Sequence, residues 1–189
     1  DKRVGNIIQT LKDNGLYENT IIIFAGDNGL AVGQHGLMGK QNVYEHSVGV
    51  PLMIKAAAQH TGKKTADLCY LIDVFPTLCD MLQLPVPQSV DGISLLSSLD
   101  GKEPVRDYLY YSYMDNQRGI SDGTWKLIEY HVNGKRTTQL FNLKNDPWER
   151  NDLSGQKKYE KTIQRLREKM AEEQKRTNDT SVFWNNFSY

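Results

Sequence analysis

Between residues 26 and 47 the chain gathers five glycines with side chains able to hold a cation and an anion. Phe24-Ala25-Gly26-Asp27-Asn28-Gly29 is followed by Gly33-Gln34-His35-Gly36 and then Gly39-Lys40. Asp27 offers carboxylate oxygens and Asn28 an amide carbonyl oxygen. Such hard donors suit Ca²⁺ or Mg²⁺ rather than Zn²⁺. Ca²⁺ takes about 6–8 oxygens, so this pair is at most part of a shell. Lys40 can set a compact positive charge against a phosphate or sulfate group. His35 can donate a hydrogen bond to an oxyanion or to a leaving-group oxygen. Taken singly, each has an ordinary reading: Asp-Asn-Gly makes a turn, and lone lysines and histidines are commonly solvated.

These residues need a scaffold. Thr20-Ile21-Ile22-Ile23-Phe24-Ala25 is continuous, apolar and β-branched, the pattern of a strand covered on both faces. Asp27 and Asn28 then lie just past its C-terminal end, where open α/β sheets bind ligands. Val4, Ile7, Ile8 and Leu11 predict an amphipathic helix ahead of that strand, stopped at Gly15. Helix then buried strand is half of a βαβ unit, so a further strand is expected before Asp1. Val48–Ile54 reads as a second strand, with Pro51 limiting its pairing. A polar connection follows over 55–64. Leu68, Leu71, Ile72, Phe75, Leu78, Cys79 and Leu82 predict a helix with Pro76 in its first turn.

The character changes near Asp91. From Arg106 to Phe141 aromatic and β-branched runs alternate with turn signals at Asp122-Gly123 and Asn133-Gly134, which predicts a small antiparallel sheet. Ser154 is a candidate cap for a last helix with apolar positions Tyr159, Ile163, Leu166 and Met170. The aromatic tail from Phe183 to Phe187 is expected to dock. The expected class is α/β, with residues 1–90 belonging to a catalytic α/β domain and 91–189 to a subdomain of antiparallel sheet and terminal helix.

Lys plus Arg and Asp plus Glu both number 23, so the formal net charge is zero. That balance argues against a nucleic-acid partner. No apolar run approaches the roughly 20 residues of a membrane span. Cys69 and Cys79 are two cysteines in apolar, helix-spaced surroundings, read as buried thiols rather than a disulfide framework. Asn178-Asp179-Thr180 and Asn186-Phe187-Ser188 fit a short, frequent glycosylation pattern and carry little weight.

The ordered series is more specific than its parts. Asp27-Asn28-Gly29, Gly33-Gln34-His35-Gly36, Gly39-Lys40, Tyr44-Glu45 and Val50-Pro51 resemble the type I sulfatases of the alkaline-phosphatase superfamily. The resemblance continues through Asp73-Val74-Phe75-Pro76-Thr77-Leu78, Asp91-Gly92-Ile93-Ser94-Leu95, Trp125-Lys126-Leu127-Ile128 and Phe141-Asn142-Leu143-Lys144-Asn145-Asp146-Pro147-Trp148-Glu149. It implies the C-terminal part of an alkaline-phosphatase-like fold. It further implies that Asp27 and Asn28 are two ligands of an active-site Ca²⁺, with Mg²⁺ less favoured. Lys40 would touch the sulfate group, and His35 would lie near the substrate as a catalytic or binding residue. The substrate would be a sulfated small molecule or glycan.

In that family the nucleophile is a formylglycine made from Cys or Ser in a Cys/Ser-x-Pro-Ser-Arg motif. Cys69 precedes Tyr70-Leu71-Ile72 and Cys79 precedes Asp80-Met81-Leu82, so neither fits. The motif and the family's N-terminal aspartate pair are expected on an N-terminal part of the same protein, which makes that part a partner and these residues inactive alone. Gly49 stands where many relatives carry Arg before Val-Pro. A phosphonate or phosphodiester hydrolase of the same superfamily is the nearest alternative. A non-catalytic glycan- or protein-binding module carried by the tyrosines between Tyr108 and Tyr113 is the alternative from another class.

Overall fold

The computed structural model describes residues 1–56 and 62–186. Half of the polar connection expected at 55–64, and Phe187 and Ser188, lie outside them. The chain packs as two compact units that interleave in sequence: Asp1–Gly26, Pro51–Thr65 and Leu71–Val105 form one, and Asp27–Val50, Ala66–Tyr70 and Arg106–Tyr189 the other.

In the first unit, α1 (Lys2–Asp13) ends where Gly15 takes φ 66°, and the Leu16 N–H closes on Leu11 O at 2.8 Å. Only a residue without a Cβ takes that conformation freely. β1 (Ile22–Ala25) pairs antiparallel with β4 (Leu52–Lys55), Ile22 opposite Lys55 and Ala25 opposite Leu52. Ile22 and Ile23 are half-buried while Phe24 and Ala25 are exposed, and no residue of α1 is buried. The two-sided cover expected for this run is therefore not supplied by the described residues. The expected strand at Val48–Ile54 begins only after Pro51, which has no N–H to give a ladder. A 3₁₀ turn at Leu71–Asp73 leads into α3 (Val74–Met81), so Pro76 does sit in the first turn, while Leu68 and Cys69 precede the helix. Cys79 is buried and Cys69 half-buried, both as free thiols.

α3 is clipped to the segment after it. Asp73 is fully buried, and its Oδ1 accepts the Ile93 N–H at 2.8 Å. Thr77 Oγ1 donates to Asp73 O at 2.6 Å and accepts the Leu95 N–H at 2.8 Å. A Cβ on Gly92 would lie 2.2 Å from Ile72 O, so only glycine lets the two segments of this clip close. The Asp73 and Asp91-Gly92 motifs are thus two halves of one contact. The short α4 (Leu96–Leu99) follows.

The second unit is built on a four-stranded antiparallel meander, β5 (Leu109–Tyr113), β6 (Gln117–Ser121), β7 (Trp125–Val132) and β8 (Lys135–Asn142), in that order. Val132 pairs with Lys135 across a two-residue turn in which Asn133 and Gly134 both have positive φ, 52° and 75°. That is the turn an Asn-Gly pair favours between twisted strands. Adjacent residues on a strand face opposite ways. Ile120, Leu127 and Leu140 meet Ile163, Leu166 and Met170 of α5 (Glu160–Arg176). On the other face Ile128 and Phe141 meet Val43 and Tyr44. Ser154 does not cap α5, which starts after a 3₁₀ turn at Lys157–Tyr159; its hydroxyl donates to Thr138 O at 3.0 Å.

The tail after α5 docks as expected. Phe183 is fully buried and Trp184 stacks on Tyr110. Asp179 takes Arg118 Nε at 2.6 Å, Arg118 Nη2 at 3.1 Å and the Tyr110 hydroxyl at 2.6 Å. Tyr110 belongs to the core beneath α5, while Tyr111 and Tyr113 pack against the opposite cluster. These tyrosines are sheet packing. Among the described residues no helix is long and apolar enough to cross a membrane.

Candidate active site

The glycine-rich segment is a hairpin in the second unit. β2 (Ala31–Val32) and β3 (Met38–Gly39) pair antiparallel, Ala31 opposite Gly39 and Val32 opposite Met38. Gly33, Gly36 and Gly39 take φ of 111°, 70° and 111°, which is why this loop is spaced by glycine. The register ends at Ala31 and Gly39, with Lys40 the next residue after it and Asn28 three residues before Ala31. Asp27, Asn28, His35 and Lys40 are all exposed. Asp27 Oδ1 accepts the Asn28 N–H at 2.8 Å, a contact between chain neighbours that orients the Asp27 carboxylate. Gly29 is needed for close approach and not for its φ. Its N–H donates to Ser47 O at 2.8 Å, and a Cβ there would lie 2.0 Å from His46 O.

His35 sits at the hairpin tip with φ 55°. Its ring stacks on Tyr44, with centroids 4.0 Å apart and planes 6° from parallel. Tyr44 is buried against Phe141, and its hydroxyl donates to Gln139 Oε1 at 2.7 Å. The sheet thereby orients Tyr44, and Tyr44 orients His35. His35 Nε2 lies 3.2 Å from Trp148 O. A carbonyl only accepts, so Nε2 carries a proton in this contact and Nδ1 is left for another partner.

Beneath the loop is an ion-pair network on which the sequence reading placed no role. Lys126 is 0% exposed and lies 2.8 Å from Glu45 Oε1 and 3.0 Å from Glu149 Oε1. Glu149, 2% exposed, also accepts the Glu45 N–H through Oε2 at 2.6 Å. It so satisfies the first donor of α2 (Glu45–Val48), a short helix where the sequence suggested a strand beginning at Val48. A Cβ on Gly49 would lie 2.7 Å from Glu45 Oε2 and 2.8 Å from Glu45 O, which explains glycine there. Burial pushes the Glu149 carboxyl above its ordinary value, against the opposing pull of Lys126. Burial, then His35 and Lys126, push the His46 imidazole down. A signal was present in the sequence, since Lys126 and Glu129 interrupt an apolar strand, but a lysine between Trp125 and Leu127 does not reveal its partner.

A cleft of about 520 Å³ opens beside this network, lined by Gln34, His35, His46, Trp148, Glu149 and Arg150. The structure thus brings His35 together with residues of the 146–150 turn, while Asp27, Asn28 and Lys40 lie outside the lining of that cleft, at the base of the hairpin. Among the described residues no group of three or more His, Cys, Asp or Glu is arranged to hold a metal ion. Asp27 and Asn28 nonetheless present exposed carboxylate and amide oxygens, the donor types a Ca²⁺ shell uses.

Comparison with known proteins follows the same outline. The family model N-sulphoglucosamine sulphohydrolase, C-terminal, matches residues 33–176, and the chain belongs to that sulfatase family. It is 30% identical over 192 residues to an N-acetylglucosamine-6-O-sulfatase of Bacteroides thetaiotaomicron, covering 95% of this chain and 34% of that protein. A solved structure of a protein in complex with its substrate D-glucosamine-2-N,6-O-disulfate superposes with a TM-score of 0.80 at 28% identity, over 96% of this chain and 39% of that one. The phosphonate monoester hydrolase of Agrobacterium radiobacter superposes with a TM-score of 0.75 at 27% identity, over 90% and 38%. The fold is accordingly that of the C-terminal part of alkaline-phosphatase-like sulfatases. The chain spans about a third of the length of the curated relatives it matches.

Proposed function

We propose that these residues supply part of the active site of a sulfatase that hydrolyses a sulfate ester on a sulfated glycan or small molecule. The observation that supports this reading is the β2–β3 hairpin, whose last pair, Ala31 and Gly39, lies three residues after Asn28 and one before Lys40. In this reading the lysine and the two oxygen donors flank that hairpin and face one substrate. The family match and the disulfated glucosamine bound by a similar structure support the substrate class.

In this reading Asp27 and Asn28 are two ligands of Ca²⁺, and other ligands come from outside these residues. The bound ion would neutralise negative charge on the sulfuryl oxygens. Lys40 binds the sulfate group and holds its charge as it develops. His35 donates a hydrogen bond from Nε2–H to Trp148 O, so its contact with a substrate runs through Nδ1. The nucleophile is a formylglycine formed outside these residues, since Cys69 and Cys79 lack the sequence around them that the modification requires. The 189 residues alone would be inactive.

A phosphonate monoester hydrolase is the second reading, favoured by the likeness to the Agrobacterium enzyme. Assaying the full-length protein with Ca²⁺ against a chromogenic aryl sulfate and an aryl phosphonate monoester separates the two. A preference for the sulfate supports the first reading, and a preference for the phosphonate overturns it. Activity of the isolated 189 residues that Asp27→Ala abolishes would overturn the assignment of the nucleophile.

A further inference from the structure

The turn after β8 carries features that the residues of the proposed reaction do not account for. Among the described residues nothing covers most of the Trp148 ring, which is 66% exposed. Isolated exposed apolar residues are common on protein surfaces and need no explanation by themselves. Here the backbone around the tryptophan is fixed on every side. Its carbonyl accepts the His35 Nε2 proton at 3.2 Å. The next residue, Glu149, is buried in the left-handed region with φ 54° and is anchored by Lys126 and by the Glu45 N–H. The Glu149 N–H closes on Asp146 O at 3.0 Å, and the Asp146 carboxylate takes the Asn151 N–H at 2.8 Å and also the Arg150 N–H. A non-glycine residue in the left-handed region persists when its surroundings over-determine it, and such positions concentrate at ligand sites.

The consequence is geometric. With Glu149 pinned inward, its neighbours Trp148 and Arg150 are both exposed, and all three line the cleft that contains His35. About 520 Å³ is within the range of small-molecule clefts. A tryptophan face suits the apolar C–H face of a pyranose ring, because it offers a flat polarizable surface that costs little conformational entropy to present. An arginine offers a planar fork matched to a sulfate or carboxylate. We propose that Trp148 and Arg150 form a sugar-binding subsite of the same active site. Trp148 would stack on a pyranose ring, and Arg150 would bind a second anionic group on that sugar, distinct from the ester that is cleaved. This rests on the sulfatase reading above and deepens it: the substrate is a carbohydrate with more than one anionic substituent.

The test compares the full-length protein with its Trp148→Ala, Trp148→Phe and Arg150→Gln variants on three substrates: a disulfated glucosamine, a monosulfated glucosamine and 4-nitrophenyl sulfate. For Trp148→Ala the ratio of kcat/KM for sulfated sugar to that for aryl sulfate should fall about tenfold, the size of one aromatic contact. The loss should lie in KM, and Trp148→Phe should restore most of it. For Arg150→Gln the disulfated sugar should lose about tenfold more than the monosulfated one. A merely structural role for the turn would lower kcat on all three substrates together, and that result, or unchanged ratios, would overturn the proposal. If the unmodified protein releases sulfate from none of them, the sulfatase reading fails by itself. The subsite is then read from calorimetric binding of the disulfated glucosamine, which the proposal requires to be detectable and weakened by Trp148→Ala. Equal binding by both proteins, or none, would sink it.

Discussion

Lys126 and Glu149 meet 3.0 Å apart with almost no exposure to solvent, one from the middle of β7 and the other from the turn after β8. A buried pair of this kind does not guarantee net stability, but removing one partner leaves an uncompensated charge. Lys126→Met should therefore destabilise the full-length protein by about 3–5 kcal/mol. Adding Glu149→Gln removes the stranded carboxylate and keeps an acceptor for the Glu45 N–H, so the double variant should be more stable than Lys126→Met alone. Urea denaturation of the four proteins measures this. Simple additivity of the two single effects would mean that the groups are not coupled.

The tail contact predicts an acid transition. Burial by itself raises the Asp179 carboxyl, but the hydrogen bonds from Arg118, then Tyr110 and the Ser181 N–H, outweigh it and hold the group well below the ordinary carboxylate range. A carboxyl depressed in the folded state contributes stability above its unfolded value, and that contribution is lost as pH falls through the folded one. The docking of Phe183 and Trp184 should weaken below about pH 3.8, with a change in Trp184 emission. Asp179→Asn should cost about 2–3 kcal/mol at neutral pH and show no such acid limb. An unchanged acid profile in that variant would place the transition elsewhere.

The sequence announced the meander and α5 because their patterns are local. Asn133-Gly134 marks its own turn, and Ile163, Leu166 and Met170 mark the face that α5 buries. It also put Asp27, Asn28, His35 and Lys40 in one glycine-rich segment, but that Ala31–Val32 and Met38–Gly39 pair as a hairpin was not legible there, because two-residue strands leave no pattern. What it concealed depends on contacts far apart in the chain. Glu45 gave no sign that it would meet Lys126, 81 positions away, nor that Glu149 would serve α2 from 104 positions away. The strand expected over Val48–Ile54 starts late, at Leu52, because Val48 closes the helical turn that Glu149 stabilises and Pro51 has no N–H to give a ladder. Trp148 looked like one more residue of a family turn until its exposure and its contact with His35 were visible.

Lys40 and Asp27 should separate catalysis from folding. Lys40 is an exposed side chain, so Lys40→Ala should change stability by less than about 0.5 kcal/mol. If it meets developing charge on the sulfate, turnover of the full-length protein should fall about 10²–10³-fold. Asp27→Ala should instead raise the Ca²⁺ concentration needed for half-maximal activity, as expected when one oxygen ligand is removed. Unchanged kcat/KM in Lys40→Ala would take that lysine out of the site, and an unchanged calcium requirement would do the same for Asp27.

Gly29 ties the Asp27-Asn28 pair to α2, and if that pair binds Ca²⁺ its substitution should report on both. Its N–H bonds Ser47 O, and its α-carbon lies so near α2 that a Cβ would be 2.0 Å from His46 O and 2.9 Å from the His46 carbonyl carbon. Both are backbone atoms of a helix whose first N–H is held by Glu149, so they cannot swing aside as a flexible side chain could. In Gly29→Ala the segment Asp27-Asn28 must therefore move away from α2. Overpacking of this kind costs about 1–3 kcal/mol. The same shift changes the placement of both oxygen donors, so the apparent Ca²⁺ affinity should fall together with the melting temperature. Gly5→Ala is the matched control: it lies within α1 with no atom near the added methyl, and the higher helix propensity of alanine should leave the protein equally or more stable. The measurement is a thermal melt of each variant with and without Ca²⁺. A Gly29→Ala protein that melts and responds to Ca²⁺ like the unsubstituted one would show that the loop does not rest on α2 as closely as these distances require.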